Sequence, residues 1–531
     1  MKILVAEPLA PAALDLLRAQ KDWDLIVSDP KSYAAHLADC DALVVRSAVK
    51  VTKEVLAKAP KLRVIGRAGV GVDNVDLPAA TEAGVLVMNT PGGNAVSVAE
   101  HTLALMLSMA RSVPQASVST KSGKWEKKKF LGNELRGKTL GIVGLGSIGR
   151  EVVKRAKPFE MTIVGHDPYV SPQTGAALGI ELLSLEELYQ RSDYITLHVA
   201  FTPETDRMLN AKAFAQMKPG VRVVNCARGE LVNEQDLETA LASGQIAGAA
   251  LDVFDREPPG DIPLFAQENL LATPHIAGST EEAQEIVGIR IVEQMIDYLK
   301  NGVALSAVNM PAMSAEQYRA LGPYAILAER LGLFLSHIAT GNIHTIRFTY
   351  EGRIGENNTQ LLRNAGLAGV ISRSMEYRAN VVNAMQIATQ RGFRVAEQRE
   401  PGDGTMNAIR MLLETDQGSF SALGAIVLDK PRLLQVEGIA CEATLDGNLM
   451  YARNSDVPGV IGYLGTVLGK NGVNIASFAL GRQDESMRKG HEPLLALSIV
   501  ETDQPVSEEV IRQLFENPAV KVVRPVKLGR G

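Results

Sequence analysis

The chain has 531 residues, a length that suits three to four ordinary domains. Hydrophobic residues make up 46% and charged residues 22%, so several cores can form and global disorder is excluded. Against 60 Asp and Glu stand 55 Lys and Arg, a net charge of -5, so the basic excess of a dedicated nucleic-acid binder is missing. Cys40, Cys226 and Cys441 provide neither a disulfide framework nor a thiolate zinc cluster. No metal is expected, and a reducing, cytoplasmic compartment is. The opening MKILVAEPLAPAALDLL reads as strand then helix and not as a signal peptide, because Glu7 and Asp15 interrupt it. No stretch reaches 18 apolar residues free of charge, so no membrane span is expected.

In chain order, KILVAE, DALVVRS, LRVIGRA and LVMNT are four predicted strands, separated by helix-like PAALDLLRAQ and TKEVLAKAP. That alternation is α/β with a parallel sheet. Glycines crowd between Gly66 and Gly93, where open α/β sheets place ligands at strand ends. AEHTLALMLSMAR, Ala99 to Arg111, reads as a helix buried between domains or subunits. Lys121, Lys124, Lys127, Lys128 and Lys129 then surround Trp125 and Phe130, a solvated face or a wall near an anionic small molecule. A second α/β unit runs through TLGIVGLG, TIVGHDP, DYITLHV, VRVVNCA, IAGAALDV and LLATPHI, six strands of a doubly wound domain. The helix from Glu281 to Gly302 carries the chain back towards the first unit. Residues 315–450 read as an α+β module. The last 80 or so residues follow a βαββαβ order, with an antiparallel sheet and helices on one face.

TLGIVGLGSIGREVVKRA holds Gly144, Gly146 and Gly149 in the GxGxxG spacing of a dinucleotide-binding turn, with Ser147 and Ile148 between the last two glycines. Gly144 makes the turn, Gly146 admits the pyrophosphate, and Gly149 lets the following helix pack closely. Asp167 ends the next strand, 18 residues past Gly149. There a carboxylate accepts both ribose hydroxyls and repels a 2′-phosphate, which favours NAD over NADP; the plain alternative is a strand-end turn residue. Arg228 follows VRVVNCA, Glu257 closes AALDVFDRE and His275 closes LLATPH, each at a strand end. Oxidation of a 2-hydroxy acid needs a proton acceptor, a cation for the carboxylate and a hydride acceptor. Histidine, arginine and a carboxylate orienting the imidazole meet the first two needs. Singly, each has a structural reading; together, after the glycine turn, they point to chemistry.

Those segments, with VVRSAVKV, GRAGVGVDNVD, NTPGGNAVSVAEHTLALML, VNCARGELVNE, ALDVFDREPP and TPHIAGSTEEAQ, resemble the D-isomer-specific 2-hydroxyacid dehydrogenase family over essentially the whole chain. The resemblance implies a flavodoxin-like substrate domain (1–98 plus 285–310), a Rossmann-type NAD domain (99–284), an intervening α+β domain (311–448) and a ferredoxin-like ACT domain (449–531). It implies Arg228 as carboxylate clamp, His275 as acid/base and Glu257 as the partner of the histidine. Thr90, Cys226, Ala227, Asp252 and Gly278 would line the cofactor cleft. Arg46, Ser47, Ala68, Gly69, Asn94 and Lys127 would face substrate, with Arg46 and Lys127 for a phosphate at carbon three. Two departures from the family pattern are Val199-Ala200 after the LH pair, and Glu230 in place of a glycine.

DVPGVIGYLG and NGVNIASFALG resemble the two signature segments of an ACT domain. By that match Asn454, Asp456 and Asn474 would contact L-serine at a paired-domain interface, although Asn454 departs from the histidine or tyrosine of some relatives. The implied activity is NAD-dependent oxidation of 3-phosphoglycerate to 3-phosphohydroxypyruvate, opening serine synthesis, in a homodimer or homotetramer. The rivals are the same chemistry on glycerate or 2-hydroxyglutarate, and a non-enzymatic NAD-sensing protein of corepressor type.

Overall fold

The short β-branched runs at the N-terminus build a five-stranded parallel sheet. Its strands are Lys2–Val5, Asp24–Val27, Ala42–Val45, Val64–Arg67 and Leu86–Met88, in the spatial order second, first, third, fourth, fifth. The computed structural model describes residues 1–311, 313–373, 379–400, 406–485 and 494–529. Sequence reading finds four of these strands and misses Asp24–Val27. That strand lies on the sheet edge with both ends exposed, so it never shows a continuous apolar run. The 21-residue helix Glu281–Asn301 returns to this unit, capped by Thr280 and ended by Gly302 at φ 73°. It buries Val287, Ile291, Val292, Met295 and Leu299 in the same core as Ile3, Val44 and Val64.

The second sheet has seven parallel strands, one more than expected, because Glu181–Leu182 adds a two-residue edge. Thr139–Val143 starts in the middle. Thr162–His166 and Glu181–Leu182 lie to one side, and Tyr194–Leu197, Val221–Asn225, Ile246–Leu251 and Leu270–Ala272 lie to the other. The strand order therefore reverses between Thr139–Val143 and Tyr194–Leu197, and ligands of such sheets bind beyond the carboxyl ends at that point.

A six-stranded mixed sheet follows, covered by helices Ala315–Ile338 and Gln360–Ser372. The second helix escapes sequence reading because most of it is buried, which leaves no amphipathic stripe. The two helices touch through glycine: a Cβ at Gly332 would run into the Gly366 carbonyl, and one at Gly369 into the Glu329 carbonyl.

The terminal sheet is four-stranded and antiparallel, in the order Ile475–Arg482, Leu495–Thr502, Asn448–Ser455, Val520–Lys527. Helices Val460–Lys470 and Glu508–Leu514 cover one face, which buries Met450, Ala452 and Val500. The other face packs against the preceding unit. There Leu449, Tyr451, Leu497, Ile499 and Val526 join the core of the mixed-sheet unit, with Tyr451 packed edge-on against Phe334 at 6.3 Å. Alternation along each strand feeds two cores at once. The polar stretch RQDESMRKGHE, which sequence reads as a loop between two strands, falls largely on residues 486–493, outside the described residues.

Candidate active site

Between the two parallel-sheet units lies a cleft of about 1000 Å³. His275 and Glu257 stand on its wall, with Nδ1 of the imidazole 2.7 Å from Glu257 Oε2. Both sit on turns beyond strand ends. His275 adopts φ 54°, a left-handed conformation unusual for a non-glycine residue, and its backbone N–H donates to the Asp252 carbonyl at 2.8 Å. Glu257 is steadied in turn by the Phe254 N–H, which donates to Oε1 at 3.2 Å. A carboxylate accepting from Nδ1–H leaves Nε2 as the basic nitrogen. Both side chains remain partly exposed, at 51% and 38%, so a ligand can reach them.

Arg228 lies on the same wall. Its Nη1 donates to the Ala227 carbonyl at 2.7 Å, and its Nη2 stands 3.0 Å from Asp73 Oδ2 on the first unit. Arg46, Ser47, Ala68, Gly69, Asn94, Ile148, Cys226, Ala227 and Gly278, all among the candidate site residues, also line the cleft. Sequence reading overlooked Arg67, Asp73 and His198. Arg67 lies mostly buried at the cleft, its Nε without a partner. Burial, and then the like charge of Arg228, pull its pKa below the ordinary arginine value. The signal for it was there: it ends the strand Val64–Arg67, two residues before the glycine turn. Burial likewise pushes the His198 imidazole down to about 3, so it stays neutral, while Cys226 is pushed up to about 12 and stays a thiol. Arg46, Arg67 and Arg228 together give one cleft three guanidinium groups.

The glycine turn fits a dinucleotide. A Cβ at Gly144, which has φ 94°, would strike the His198 carbonyl, and one at Gly149 would strike the Gly144 carbonyl. Both glycines therefore serve packing. Gly146 has φ -68° and nothing within 4 Å of a Cβ built there, so neither conformation nor protein packing requires glycine. The open space beside its backbone, at the start of helix Ser147–Ala156, is what close approach of a pyrophosphate needs. Asp167 follows at the neighbouring strand end. Its Oδ2 accepts from the Leu145 N–H at 2.8 Å and its Oδ1 from the Tyr169 N–H at 2.9 Å, which ties the strand end to the glycine turn. The turn role and the ribose role are thus compatible, since each oxygen keeps a lone pair.

Three of the expected site residues lie off the cleft lining. Lys127 stays in an exposed loop away from the cleft wall, beyond a turn where Glu126 accepts from the Ser119 hydroxyl at 2.7 Å. Thr90 is 0% exposed and supports the turn from behind, donating its N–H to the Gly69 carbonyl. Asp252 is also 0% exposed and acts as a hub, not a cleft-facing acceptor. It accepts from the Thr273 hydroxyl and the Ile276 and Ala277 N–H groups, with His101 3.5 Å away. Burial alone would raise its pKa, but these donors outweigh that and lower it.

The expected serine contacts do not meet within one chain. Register pairs Asn454 with Ala496, which in turn pairs with Arg482, at one end of the terminal sheet, whereas Asn474 precedes Ile475, which pairs with Thr502 at the other. At 3.3 Å per residue the two ends are about 20 Å apart. Asp456 lies outside the N-cap of helix Val460–Lys470. Its carboxylate lies 3.4 Å from Arg482 Nε, and Gly459 occupies the cap with no side-chain bond. Asn474 donates to Asp503 at 2.7 Å.

Among the described residues there is no group of His, Cys, Asp and Glu that could hold a metal, and no helix long and apolar enough to cross a membrane. The model of the D-isomer specific 2-hydroxyacid dehydrogenase NAD binding domain matches residues 103–277, and that of the D-3-phosphoglycerate dehydrogenase intervening domain matches 320–437. D-3-phosphoglycerate dehydrogenase of Methanocaldococcus jannaschii is 42% identical over 99% of this chain and 100% of its own length. Among solved structures, a Thermus thermophilus protein superposes with a TM-score of 0.53 at 37% identity, covering 58% of this chain and 100% of its own. NAD-dependent formate dehydrogenase of Staphylococcus aureus in complex with NAD gives 0.52 at 32% identity, over 57% and 97%. The chain belongs to the D-isomer specific 2-hydroxyacid dehydrogenase family, in the group whose members carry the phosphoglycerate dehydrogenase intervening domain.

Proposed function

We propose that this chain oxidises D-3-phosphoglycerate to 3-phosphohydroxypyruvate with NAD, the first step of the phosphorylated route to L-serine. The observation that carries the reading is the His275–Glu257 pair at 2.7 Å on the wall of a cleft that also holds three arginines. The glycine turn and Asp167 would hold NAD, which would supply the acceptor for the hydride leaving C2. His275 Nε2 takes the hydroxyl proton as the C2 oxygen becomes a carbonyl, and Glu257 stabilises the resulting imidazolium through Nδ1–H. Arg228 holds the substrate carboxylate and opposes charge developing on the C2 oxygen. Arg46 and Arg67 are the groups for the phosphate, since an ionised phosphate needs charge-assisted bonds. Neutral Glu at the histidine's side tests the pairing. Glu257→Gln should lower kcat for NADH formation from 3-phosphoglycerate with little change in NAD affinity, and an unchanged kcat would contradict the assignment.

The terminal unit is read as an ACT domain that senses L-serine, supported by its two signature segments and by its sheet order. Because Asn454 and Asn474 lie at opposite ends of the sheet, a serine site using both needs a second copy of the chain. By this reading the protein is a homo-oligomer; the cytoplasm remains its proposed compartment, in keeping with the three free cysteines. Serine should lower NADH formation, and the inhibition should persist at saturating phosphoglycerate. Relief by excess substrate would move the effector to the cleft.

A further inference from the structure

We propose that Asp73 is an internal competitor for the substrate's carboxylate, occupying the Arg228 clamp in the free protein and setting the enzyme's affinity for its acid. This rests on the reading of Arg228 as that clamp. The ion pair spans the cleft, since Asp73 belongs to the glycine turn of the first sheet and Arg228 to a strand end of the second. The guanidinium is already engaged there: Nη1 donates to the Ala227 carbonyl at 2.7 Å, and Nη2 stands 3.0 Å from Asp73 Oδ2. A carboxylate held by two parallel bonds needs two N–H groups of one fork, so an incoming acid that uses Nη2 competes there with Asp73.

The backbone makes room for this pair. A Cβ at Gly71 would run into Arg228 Nη2 and come within 2.8 Å of Asp73 Oδ2. Gly71 is not among the residues at positive φ, so a side chain there would crowd the ends of Arg228 and Asp73 and not strain the backbone. Asp73 also rides on a fixed platform. The side chain of the adjacent Asn74 donates to the Arg46 and Val49 carbonyls at 2.8 and 2.7 Å. Buried Glu7 accepts from the N–H groups of Arg46, Ala48 and Val49. The carboxylate is therefore presented by a turn that has its own bonds and does not depend on Arg228. It is 73% exposed, so it can exchange with a ligand at modest cost. An aspartate in this position touches neither the reacting carbon nor the imidazole; it acts on the arginine.

The test is Asp73→Asn, which keeps the shape and removes the charge. An exposed pair of this kind corresponds to about a two- to fivefold change in binding. KM for 3-phosphoglycerate should fall by that factor, with kcat moving less than KM. An unphosphorylated 2-hydroxy acid should show the same fall, because both acids displace the same group. Asp73→Glu, which can return a carboxylate to the clamp, should recover most of the original KM. A rise in KM for Asp73→Asn, or no change, would overturn the proposal; a rise would make Asp73 an orienting partner of Arg228. Arg228→Gln measured on the same substrates separates the two layers. A mild effect there would sink the clamp itself, whereas a severe effect beside an unaltered Asp73→Asn sinks only the competitor.

Discussion

The cleft and the terminal sheet both carry polar side chains at strand ends, and they use them in opposite ways. Glu257, His275 and Arg228 follow three different strands of one parallel sheet, yet all three line the same cleft. Asn454 and Asn474 are close in sequence and lie at opposite ends of one sheet. The reason is direction. In a parallel sheet every strand delivers its carboxyl end to the same edge, so residues that follow strands converge. In the terminal sheet Asn454 sits near the end of one strand and Asn474 just before the start of another running the same way, so they part. Strand-end position therefore gathers side chains at one place in the first half of the molecule and separates them within one chain in the second.

The largest expected effect tests convergence. His275→Ala should lower turnover by about 10²–10⁴-fold, the usual worth of positioned acid/base help, with NAD affinity by calorimetry little changed. Equal losses of turnover and cofactor binding would assign His275 to the scaffold.

Next comes the terminal half, where packing and not convergence is at stake. Leu497 is fully buried in the core that the terminal sheet shares with the mixed sheet. Leu497→Ala should cost about 2–5 kcal/mol. It should shift one unfolding transition that takes both units together, followed by circular dichroism, while the cleft keeps its kcat below that transition. Two separate transitions would show that the shared core is not cooperative.

Arg67→Ala should raise KM for 3-phosphoglycerate by at least about tenfold, since each charge-assisted bond is worth roughly 1.5–3 kcal/mol. An unphosphorylated acid should suffer much less. Equal damage to both would place Arg67 at the carboxylate end with Arg228.

The smallest effect concerns Asp167, whose oxygens already accept two backbone N–H groups. Asp167→Ala should narrow the preference for NAD over NADP chiefly by weakening NAD. Loss of folding instead of selectivity would leave only the turn role.

What could be read from the sequence follows the same division. Glycine spacing, strand-end Arg228, Glu257 and His275, and the doubly wound order are local signals, because each depends on a few neighbouring residues and on a parallel sheet that aligns strand ends. Arg67 and Asp73 were hidden inside the glycine-rich GRAGVGVDNVD, where the glycines draw attention from the charges they make room for. Lys127 is hard to place from sequence because a basic run has no direction: its loop stays exposed and its neighbours are equally basic. Asp252 and Thr90 sit at cleft-forming turns but point inward, and only backbone geometry reveals that. The double-faced terminal sheet was invisible for a simpler reason. Strands buried on both sides lose polar alternation, and nothing in Leu449, Tyr451, Leu497 and Ile499 says which partner covers them.

The most direct test of the central claim is NADH formation by the full-length protein with 3-phosphoglycerate, measured beside D-glycerate and D-2-hydroxyglutarate. The account predicts that kcat/KM for 3-phosphoglycerate exceeds that for D-glycerate by at least about tenfold, the worth of one charge-assisted bond from Arg46 or Arg67 to the phosphate. Equal or higher kcat/KM with the unphosphorylated acids would contradict it.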